Sequence, residues 1–472
     1  MSFAIVWFRR DLRLADNPAL QAALDAGHSP IPVYLYAPQE EAPWQPGGAS
    51  RAWLARSLRS LDADLRKLGS RLVIRGGESL AEIEKIIEAT GAEAVYWNRL
   101  YEPAAIQRDT RVMDALKQRG LHVESSNSAL LVEPWTVATL GGEPYRVFTP
   151  FWRNASTRVA EQRPLPAPTS LPPVPDALQG VGIDSLDLEP AIAWDANFWT
   201  DWQPGEAGAA ELLEAFAEGA SHGYKEQRNF PDRIGTSRLS PHLHFGEISP
   251  RQIARHVLDA RKPAIPELDL AHYISELGWR EFSHHLLFHY PHTPTADLSP
   301  KFERFPWAQT DPGLLRRWQQ GRTGVPLVDA GMRELWGTGW MHNRVRMVVA
   351  SFLTKNLRYH WQHGARWFWD TLVDADLAQN TQGWQWSAGT GADAAPYFRI
   401  FSPTAQSERF DPSGQYIRRW VPELAAMPTP ALFEPWSHPL VREKLAPDYP
   451  ETPIIDMRAS RNAALAAFQQ SK

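Results

Sequence analysis

The stretch from Asp374 to Pro403 concentrates side chains that can do chemistry. It reads DADLAQNTQGWQWSAGTGADAAPYFRIFSP and mixes acidic, amide, indole and basic groups without a clean amphipathic period. Asp374 and Asp376 flank one alanine, and a buried carboxylate must be paired or hydrogen-bonded. Arg346 is the obvious cation to pair with one of them, and a ligand rich in N–H and hydroxyl donors would also supply partners. The composition therefore indicates a site that holds a polar ligand.

A metal site is the competing interpretation of these carboxylates. The fifteen histidines are mostly scattered, and no H-x-x-x-H or carboxylate–histidine pairing lies around Asp374. The segment HYISELGWREFSHHLLFHY does cluster histidines, but their spacing does not give a zinc set with a third ligand. We expect these histidines to line a helix surface, and we predict no metal.

Polar side chains at helical spacing occur in a segment before this stretch. Glu276, Trp279 and Arg280 stand at i, i+3 and i+4, which places a carboxylate, an indole and a guanidinium on one helix face. An exposed ion pair beside a half-buried tryptophan would show the same spacing. This segment alone leaves both interpretations open.

A second segment repeats that spacing. Asn343, Arg346 and Met347 fall at i, i+3 and i+4. The opposite side of the expected helix is apolar and comprises Val345, Val348, Val349 and Phe352. A soft, polarizable methionine among polar groups suits a flat heteroaromatic ligand, although a gap-filling methionine in a packed face would look similar.

The run GYKEQRNFPDRIGTSRLS, from Gly223 to Ser240, offers hydroxyls and backbone donors beside an arginine. Such partners suit a phosphate group. Hydroxyls at this density also cap helices, and Ser240 with Pro241 could begin one.

Length and composition restrict the class of protein. At 472 residues the chain exceeds the size at which one hydrophobic core keeps growing, so two or more domains are expected. The absence of cysteine excludes disulfides and thiolate chemistry, and the amino-terminal residues show neither a signal peptide nor a membrane span. We expect a cytoplasmic protein. The net charge of −5 argues against a globally basic nucleic-acid binder, but a local basic patch would suffice.

The elements that position these residues begin with alternating strands and helices. Short apolar runs rich in β-branched and aromatic residues predict buried strands at Phe3–Phe8, Ile31–Tyr36, Arg71–Arg75 and Ala94–Asn98. Helical patterns lie between or after them at Ser50–Leu68, Ser79–Thr90 and Pro103–Arg119. This alternation predicts an α/β domain with a parallel, Rossmann-like sheet. No G-x-G-x-x-G follows the first strand, so it is not a standard NAD or FAD site.

The pattern then changes twice along the chain. Six prolines between Pro164 and Pro175, followed by further Gly, Asp and Pro residues, predict a long linker. After it only helical patterns follow, including Glu206–Gly219, Pro250–Ala260, Leu268–His289, Pro312–Gln320, Val325–Leu335, Trp340–His360 and Arg366–Leu372. We predict an α/β domain at residues 1–132, a linker at 133–205 and an all-helical domain at 206–472.

Five motifs, taken in order, resemble landmarks of the DNA photolyase and cryptochrome family. They are VWFRRDLRLADNPAL, GTSRLSPHLHFGEISPR, SELGWREF, TGWMHNRVRM and DADLAQNTQGWQWSAGTGADAAPYFRIFSPTAQSERFDP. The resemblance covers nearly the whole chain and is greatest to bacterial photolyases for cyclobutane pyrimidine dimers. It implies a DNA-repair lyase for ultraviolet-damaged DNA, and nothing in it demands more than a monomer.

The resemblance implies one non-covalent, U-shaped FAD in the helical domain. Asn380 would face its N5, Arg346 and Asp374 would pair beside the isoalloxazine, and Asp376 would contact the ring edge. The further residues that it implies for FAD are Tyr224, Thr236, Ser237, Arg238, Leu239, Ser240 and Arg280.

The implied reaction is light-driven electron transfer from excited reduced FAD to a dimer flipped out of the duplex. Glu276 and Asn343 would hydrogen-bond the dimer, and Met347 would lie above it. Trp279 and Trp386 would form an apolar wall, and the contacts with the DNA backbone would come from Arg228, Arg344 and Gln406. A relay that reduces the flavin from the surface would consist of Trp384, Trp361 and Trp307.

Three positions separate this chain from related activities within the family. Photolyases for (6-4) photoproducts carry histidines where Asn343 and Met347 stand, and plant cryptochromes usually carry Asp where Asn380 stands. Both features favour dimer repair. A blue-light receptor without repair activity, and a light-independent flavoprotein that only shuttles electrons, are the competing functions.

The family often binds a second, antenna chromophore near the first domain. Pro46, Ala104 and Ala105 stand where the resemblance to enterobacterial relatives leads us to expect polar contacts with folate, so the chain departs from that pattern of contacts. We expect methenyltetrahydrofolate rather than 8-hydroxy-deazaflavin.

Overall fold

The computed structural model describes residues 2–259, 264–393 and 398–471. Its internal contacts divide the chain into two compact units, each described here by itself. Unit 1 comprises Met1–His222 and Ser237–Pro291, and unit 2 comprises Gly223–Thr236 and His292–Lys472. Domain boundaries at residues 132 and 205 stay a prediction.

A five-stranded parallel sheet forms the centre of unit 1. Its strands β1 to β5 are Phe3–Phe8, Ser29–Tyr36, Val73–Gly76, Ala94–Asn98 and His122–Ser126, in the order β3-β2-β1-β4-β5. Ile5 of β1 lies between Ile31 and Val95 of its two neighbours, as the apolar runs predict. Strand β5 was not predicted, because HVESS carries one apolar residue and an edge strand needs no apolar run.

The described residues contain helices α1 to α19. In chain order they are Pro18–Asp25, Gly48–Lys67, Ser79–Thr90, Pro103–Gln118, Phe148–Ala155, Glu206–Ala215, Tyr224–Gln227, Ser240–Phe245, Pro250–Asp259, Glu267–His289, Pro312–Gln319, Pro326–Thr338, Asn343–Ser351, Trp361–Thr371, Leu377–Ala388, Pro403–Phe410, Gln415–Trp420, Pro439–Leu445 and Met457–Gln470. Two π-helical turns, Phe216–Ala220 and Phe352–Asn356, extend α6 and α13. None of the helices in these described ranges combines the length and apolarity that a membrane crossing requires.

Two helices of unit 1 were absent from the sequence prediction. Helix α1 begins where the Asn17 side chain accepts a hydrogen bond from the backbone N–H of Leu20, with Pro18 in the first turn. That signature is readable in ADNPAL. Helix α5 falls inside the predicted linker and packs against α10.

Every regular element that the structure describes in unit 2 is a helix, which with the parallel sheet of unit 1 confirms the predicted fold class. Its core includes the fully buried Trp318 and Trp361. The single helix predicted at Trp340–His360 is wrong at both ends. Helix α13 begins at Asn343, because the His342 ring accepts a hydrogen bond from the backbone N–H of Arg344.

The stretch from Asp374 to Pro403 contains a helix that its weak periodicity hid. Helix α15 begins where the Asp376 carboxylate accepts a hydrogen bond from the backbone N–H of Gln379, 2.9 Å away. It ends at Gly389, whose φ of 89° is the left-handed conformation common at helix ends. Both Asn380 and Trp384 thereby lie on one rigid element.

Candidate active site

An ion pair joins α13 to the segment before α15. Nη2 of Arg346 lies 2.8 Å from Oδ2 and 3.1 Å from Oδ1 of Asp374, and its Nε donates to the carbonyl of Met341 at 2.7 Å. The Asp374 side chain is 4% exposed and that of Arg346 24%. The pairing predicted from the sequence is therefore present, with the carboxylate buried and the cation partly accessible.

The amide of Asn380 is buried and held in one orientation. Its Nδ2 donates to the carbonyl of Ala365 on α14 at 3.0 Å. This bond orients the amide, because one of its two N–H groups is held by the protein. Asp376 contributes one carboxylate oxygen to the start of α15.

Helix α13 has the two sides that the sequence predicts. Val345, Val348 and Val349 are fully buried in the core of unit 2. Asn343 is exposed, whereas Arg346 and Met347 are half-buried on the other side. The polar side of α13 is therefore available to a ligand.

A basic cluster surrounds the start of α13. The pKa of the Arg344 guanidinium is lowered by burial and then by the neighbouring charges of Arg228 and Arg409. Arg344 is hydrogen-bonded to the Asn229 side chain and lies 4.2 Å above the Phe410 ring. The positive charges of these arginines repel one another, so a bound anion would stabilise the cluster. Phosphate is the anion that arginine clusters bind most readily.

His342 lies within this cluster and was missed by the sequence analysis. Burial, and then the charges of Arg344, Arg228 and Arg346, lower its pKa to about 3. The ring is therefore neutral and serves as the amino-terminal cap of α13. Its only signal in the sequence is its position before Asn343, since a histidine cap has no distinctive pattern.

Two of the three relay tryptophans are deeply buried. Trp361 donates its indole N–H to Asp297 at 2.7 Å, and Trp384 packs edge-on against Phe368 with ring centres 4.9 Å apart. The third, Trp307, is half-buried. Its ring lies 5.1 Å from that of His360, which lies 5.5 Å from Trp361. Aromatic rings thus connect Trp307 with the buried Trp361.

The remaining predicted residues of unit 2 occupy separate positions on it. Tyr224 is buried, and the Arg228 guanidinium lies 5.5 Å from its ring. Trp386 is half-buried, with its ring 6.4 Å from that of Phe401. Thr236 and Gln406 are also half-buried, and the Gln406 side-chain oxygen is buried without a hydrogen-bond partner among the described residues.

In unit 1, helix α10 carries the predicted Glu276, Trp279 and Arg280, all half-buried. Trp279 stacks on Phe148 with ring centres 3.8 Å apart, and Glu276 lies 3.9 Å from the His272 ring. Arg280 donates to the carbonyl of Ala129 at 2.7 Å and to the Glu281 carboxylate at 3.2 Å. The partner Phe148 belongs to the predicted linker, so no sequence pattern connects it with Trp279.

The phosphate-type run continues into unit 1 from Ser237. The pKa of Tyr273 is raised by burial, and its hydroxyl is hydrogen-bonded to Ser237. Arg238 has a φ of 53°, and its guanidinium lies 4.2 Å from the Trp202 ring. Leu239 is buried, and Ser240 begins α8 as expected.

The prediction that the clustered histidines line a helix surface is wrong. His284 and His285 are buried on α10. His285 packs among Phe151, Phe282 and His289, with ring centres 4.5 to 6.3 Å away. Helix α5 covers this face of α10. The sequence of α10 taken alone predicts a polar, solvent-exposed face there.

The fold and these side chains define a two-unit protein with a parallel α/β sheet and a helical part that holds buried polar groups. Arg346, Asp374, Asp376 and Asn380 are buried or partly buried donors and acceptors, of the kinds that pair with the N–H and C=O groups of a flat heterocycle. Groups of these kinds would suit the ring edge of a flavin.

Comparison with known proteins agrees with this chemistry. Residues 4–170 match the family model described as DNA photolyase, and residues 273–470 match the FAD binding domain of DNA photolyase. The chain belongs to the DNA photolyase and cryptochrome family. Its membership supports FAD as the cofactor and confirms the predicted flavoprotein and lyase class.

Three relatives show the range of the family. The deoxyribodipyrimidine photo-lyase of Agrobacterium fabrum is 43% identical, with 99% of this chain and 98% of that protein covered. Cryptochrome-1 of Arabidopsis thaliana is 40% identical, with 92% of this chain and 65% of that protein covered. The crystal structure of a class III photolyase from Agrobacterium tumefaciens has a TM-score of 0.95 and 42% identity, and it covers 100% of this chain and 98% of that one.

Proposed function

We propose that the protein is a deoxyribodipyrimidine photo-lyase that repairs cyclobutane pyrimidine dimers in DNA with blue light. The observation that carries the proposal is the buried pairing of Arg346 with Asp374, next to a helix that holds the Asn380 amide in one orientation. These are the groups through which the family resemblance implies a flavin.

When bound, FAD in its reduced state supplies the photoexcited electron donor of the reaction. The protein groups would tune and hold it. The positive charge of Arg346 favours negative charge on the ring nearby, while Asp374 keeps the guanidinium in place. A neutral amide at Asn380 tolerates changes of ring charge better than a carboxylate would, because it carries no charge of its own.

Two sets of contacts would hold the rest of the cofactor and supply electrons to it. The hydroxyls and backbone N–H groups from Thr236 to Ser240, with Tyr224 and Arg280, would bind the phosphates and the ribityl chain. Trp384, Trp361 and Trp307 would carry electrons from the surface to reduce the flavin. Burial of Trp384 and Trp361 excludes water from the inner part of that route.

On the DNA side, each predicted residue keeps the role that the resemblance implies. Glu276 and Asn343 would donate or accept hydrogen bonds with the dimer, Met347 would lie above it, and Trp279 and Trp386 would form its apolar wall. The basic cluster of Arg228 and Arg344 supports phosphate contacts, which position the protein on DNA without reading sequence. Gln406 would add a neutral contact.

The choice of lesion follows from α13. A neutral amide at Asn343 and a thioether at Met347 provide no acid, so repair of a (6-4) photoproduct, which needs one, is disfavoured. The same residues can hydrogen-bond and pack against a cyclobutane dimer. We therefore propose ultraviolet-damaged DNA carrying such dimers as the partner, bound by a monomer in the cytoplasm, with methenyltetrahydrofolate as the antenna.

A blue-light receptor is the second candidate, because the chain is 40% identical to a plant cryptochrome. One experiment separates the two. Chemically reduced protein is mixed with oligonucleotides that carry either a cyclobutane dimer or a (6-4) photoproduct, in the dark and in blue light. Repair of the first alone, and only in light, supports the proposal; unrepaired dimers with a fully reduced flavin favour the receptor.

Repair losses in Glu276→Gln and Asn343→Ala would assign the lesion site. Both variants should keep their FAD, because neither side chain is proposed to touch it. Full repair by both would remove these two residues from the proposed site and leave the function itself standing.

A further inference from the structure

Lys355 is a buried lysine to which the proposed flavin and lesion sites assign no role. It lies in the π-helical turn Phe352–Asn356 that follows α13, and it is 1% exposed. Among the described residues no carboxylate forms an ion pair with it. A buried cation without a carboxylate partner is costly, so its position calls for a reason.

The Lys355 side chain reaches the carboxyl-terminal end of α15. Its Nζ donates to the carbonyl of Ala388, the last residue of that helix. The final four carbonyls of a helix have no partner within the helix, and the negative end of the helix dipole lies there. An N–H donor from Lys355 therefore satisfies a group that α15 cannot satisfy itself.

Two aromatic rings lie near the Lys355 Nζ and the end of α15. The Nζ lies 3.5 Å from the centre of the Phe398 ring. A Cβ added to Gly389 would come within 3.4 Å of the Nζ and 3.5 Å of the Phe302 ring. Gly389 thus borders the lysine directly, and its left-handed φ ends α15 at this point.

The two ends of α15 are held by different contacts. Asn380 is bound to Ala365, and the Trp384 ring lies so close to Gly364 that a methyl group there would overlap it. Neither contact involves Lys355. Trp386 lies two residues before Ala388 in the carboxyl-terminal turn, whose first residue, Gln385, is anchored by its own side-chain hydrogen bonds to the segment 293–298.

We propose that Lys355 is a positioning residue that fixes the last turn of α15 and thereby the Trp386 side of the lesion site. The proposal rests on the proposed function, because the role of Trp386 does. It assigns Lys355 no contact with DNA or flavin. Its effect is on binding of the lesion, whereas the electron route through Trp384 is held independently.

The interaction needs an N–H donor more than a full charge. Burial lowers the pKa of the Lys355 ammonium well below its ordinary value, and a neutral amine still donates. Lys355→Gln keeps a donor, and Lys355→Met keeps similar bulk without one. This pair of variants separates the hydrogen bond from simple filling of space.

The experiment compares these variants of the full-length, FAD-loaded protein with wild type. Lys355→Met should weaken binding of dimer-containing DNA roughly tenfold relative to undamaged DNA, the order of effect expected from a small misplacement. FAD content and the rate of flavin photoreduction should change less than about twofold, because Trp384 and Asn380 keep their own contacts. Lys355→Gln should recover most of the lost affinity.

A control and a direct structural readout make the result decisive. Arg442, another buried cation of unit 2, donates to the carbonyl of Tyr449 at 3.1 Å, so Arg442→Met should lower thermal stability without loss of discrimination. Hydrogen exchange should be faster in Lys355→Met at residues 385–389 but not at 377–381. Any one of three results would overturn the proposal. These are equal losses of flavin photoreduction and DNA binding in Lys355→Met, unchanged hydrogen exchange at residues 385–389, and identical behaviour of Lys355→Met and Lys355→Gln. Failure of wild type to discriminate damaged DNA, with exchange altered as expected, would instead count against the proposed function.

Discussion

Trp384 packs so tightly onto Gly364 that residue 364 has no room for a side chain. The indole is also edge-on to Phe368 and Trp318, with ring centres 4.9 and 6.2 Å away. A glycine on α14 therefore allows the closest approach of α15, and it fixes the ring that we propose as the first electron donor to the flavin.

Replacement of Trp384 by Phe should slow photoreduction of FAD several-fold, because phenylalanine is far harder to oxidise than tryptophan. Repair by chemically reduced enzyme should stay within about twofold of wild type, since the ring is not proposed to touch DNA. The measurement is flavin absorbance during illumination with an external reductant. Trp420→Phe is the control, as Trp420 lies outside the proposed relay. Unchanged photoreduction in Trp384→Phe would remove the assignment or reveal a second tryptophan route.

The Arg346–Asp374 pair predicts a loss of both stability and FAD. Arg346→Ala leaves a buried carboxylate without its charged donor, which costs about 1.5–3 kcal/mol in the free energy of unfolding. Urea unfolding and FAD bound per chain measure the two effects. Arg333→Ala is the matched control, because Arg333 is 22% exposed and pairs at 2.8 Å with a Glu423 that is 29% exposed. That pair should contribute under about 1 kcal/mol. Equal losses of unfolding free energy and of FAD in Arg346→Ala and Arg333→Ala would contradict the claim that the buried Asp374 makes its ion pair the more important one.

His285 predicts a pH dependence of stability. Burial, and then the nearby His289, lower its pKa to about 4. The unfolded state, with a pKa of about 6.5, binds the proton first, so this histidine removes stability as the pH falls from about 6.5 to 4. His285→Phe should abolish that loss, which amounts to at most about 3 kcal/mol from the two pKa values.

The measurement is the difference in unfolding free energy between wild type and His285→Phe at several pH values. The difference isolates His285 from Asp411, whose pKa is raised to about 6 by burial and whose effect on stability has the opposite sign. A difference that stays constant between pH 7.5 and 4 would show that His285 titrates normally.

The basic cluster predicts salt-dependent DNA binding. Arg344→Ala should weaken binding of damaged and undamaged DNA alike and reduce the slope of log K against log salt by about one. Arg419→Ala, an exposed arginine elsewhere on unit 2, should leave the slope unchanged. An unchanged slope in Arg344→Ala would exclude a phosphate contact at this residue.

Local signals in the sequence predicted most of the fold. Strands β1 and β4 begin and end where their apolar runs do, and the charge of Arg346 sufficed to predict a pairing with one of the two carboxylates, which is Asp374 in the structure. The family motifs supplied the functional roles, which no periodicity could have given.

Long-range packing explains what the sequence did not show. His285 of α10 is buried in part because Phe151, from a segment predicted to be linker, packs on it. The role of Lys355 was equally hidden, since its partner Ala388 is 33 residues away and a lysine normally predicts a surface. Helix α13 begins at Asn343 rather than at the predicted Trp340, because the His342 side chain caps it. A histidine cap is an uncommon sequence signal.

The most direct test of the proposed function is the fate of a cyclobutane dimer incubated with the reduced protein. We predict that blue light restores the intact pyrimidines over many turnovers, whereas the dark sample keeps its dimers. Dimers that persist after illumination, with FAD bound and reduced throughout, would contradict repair.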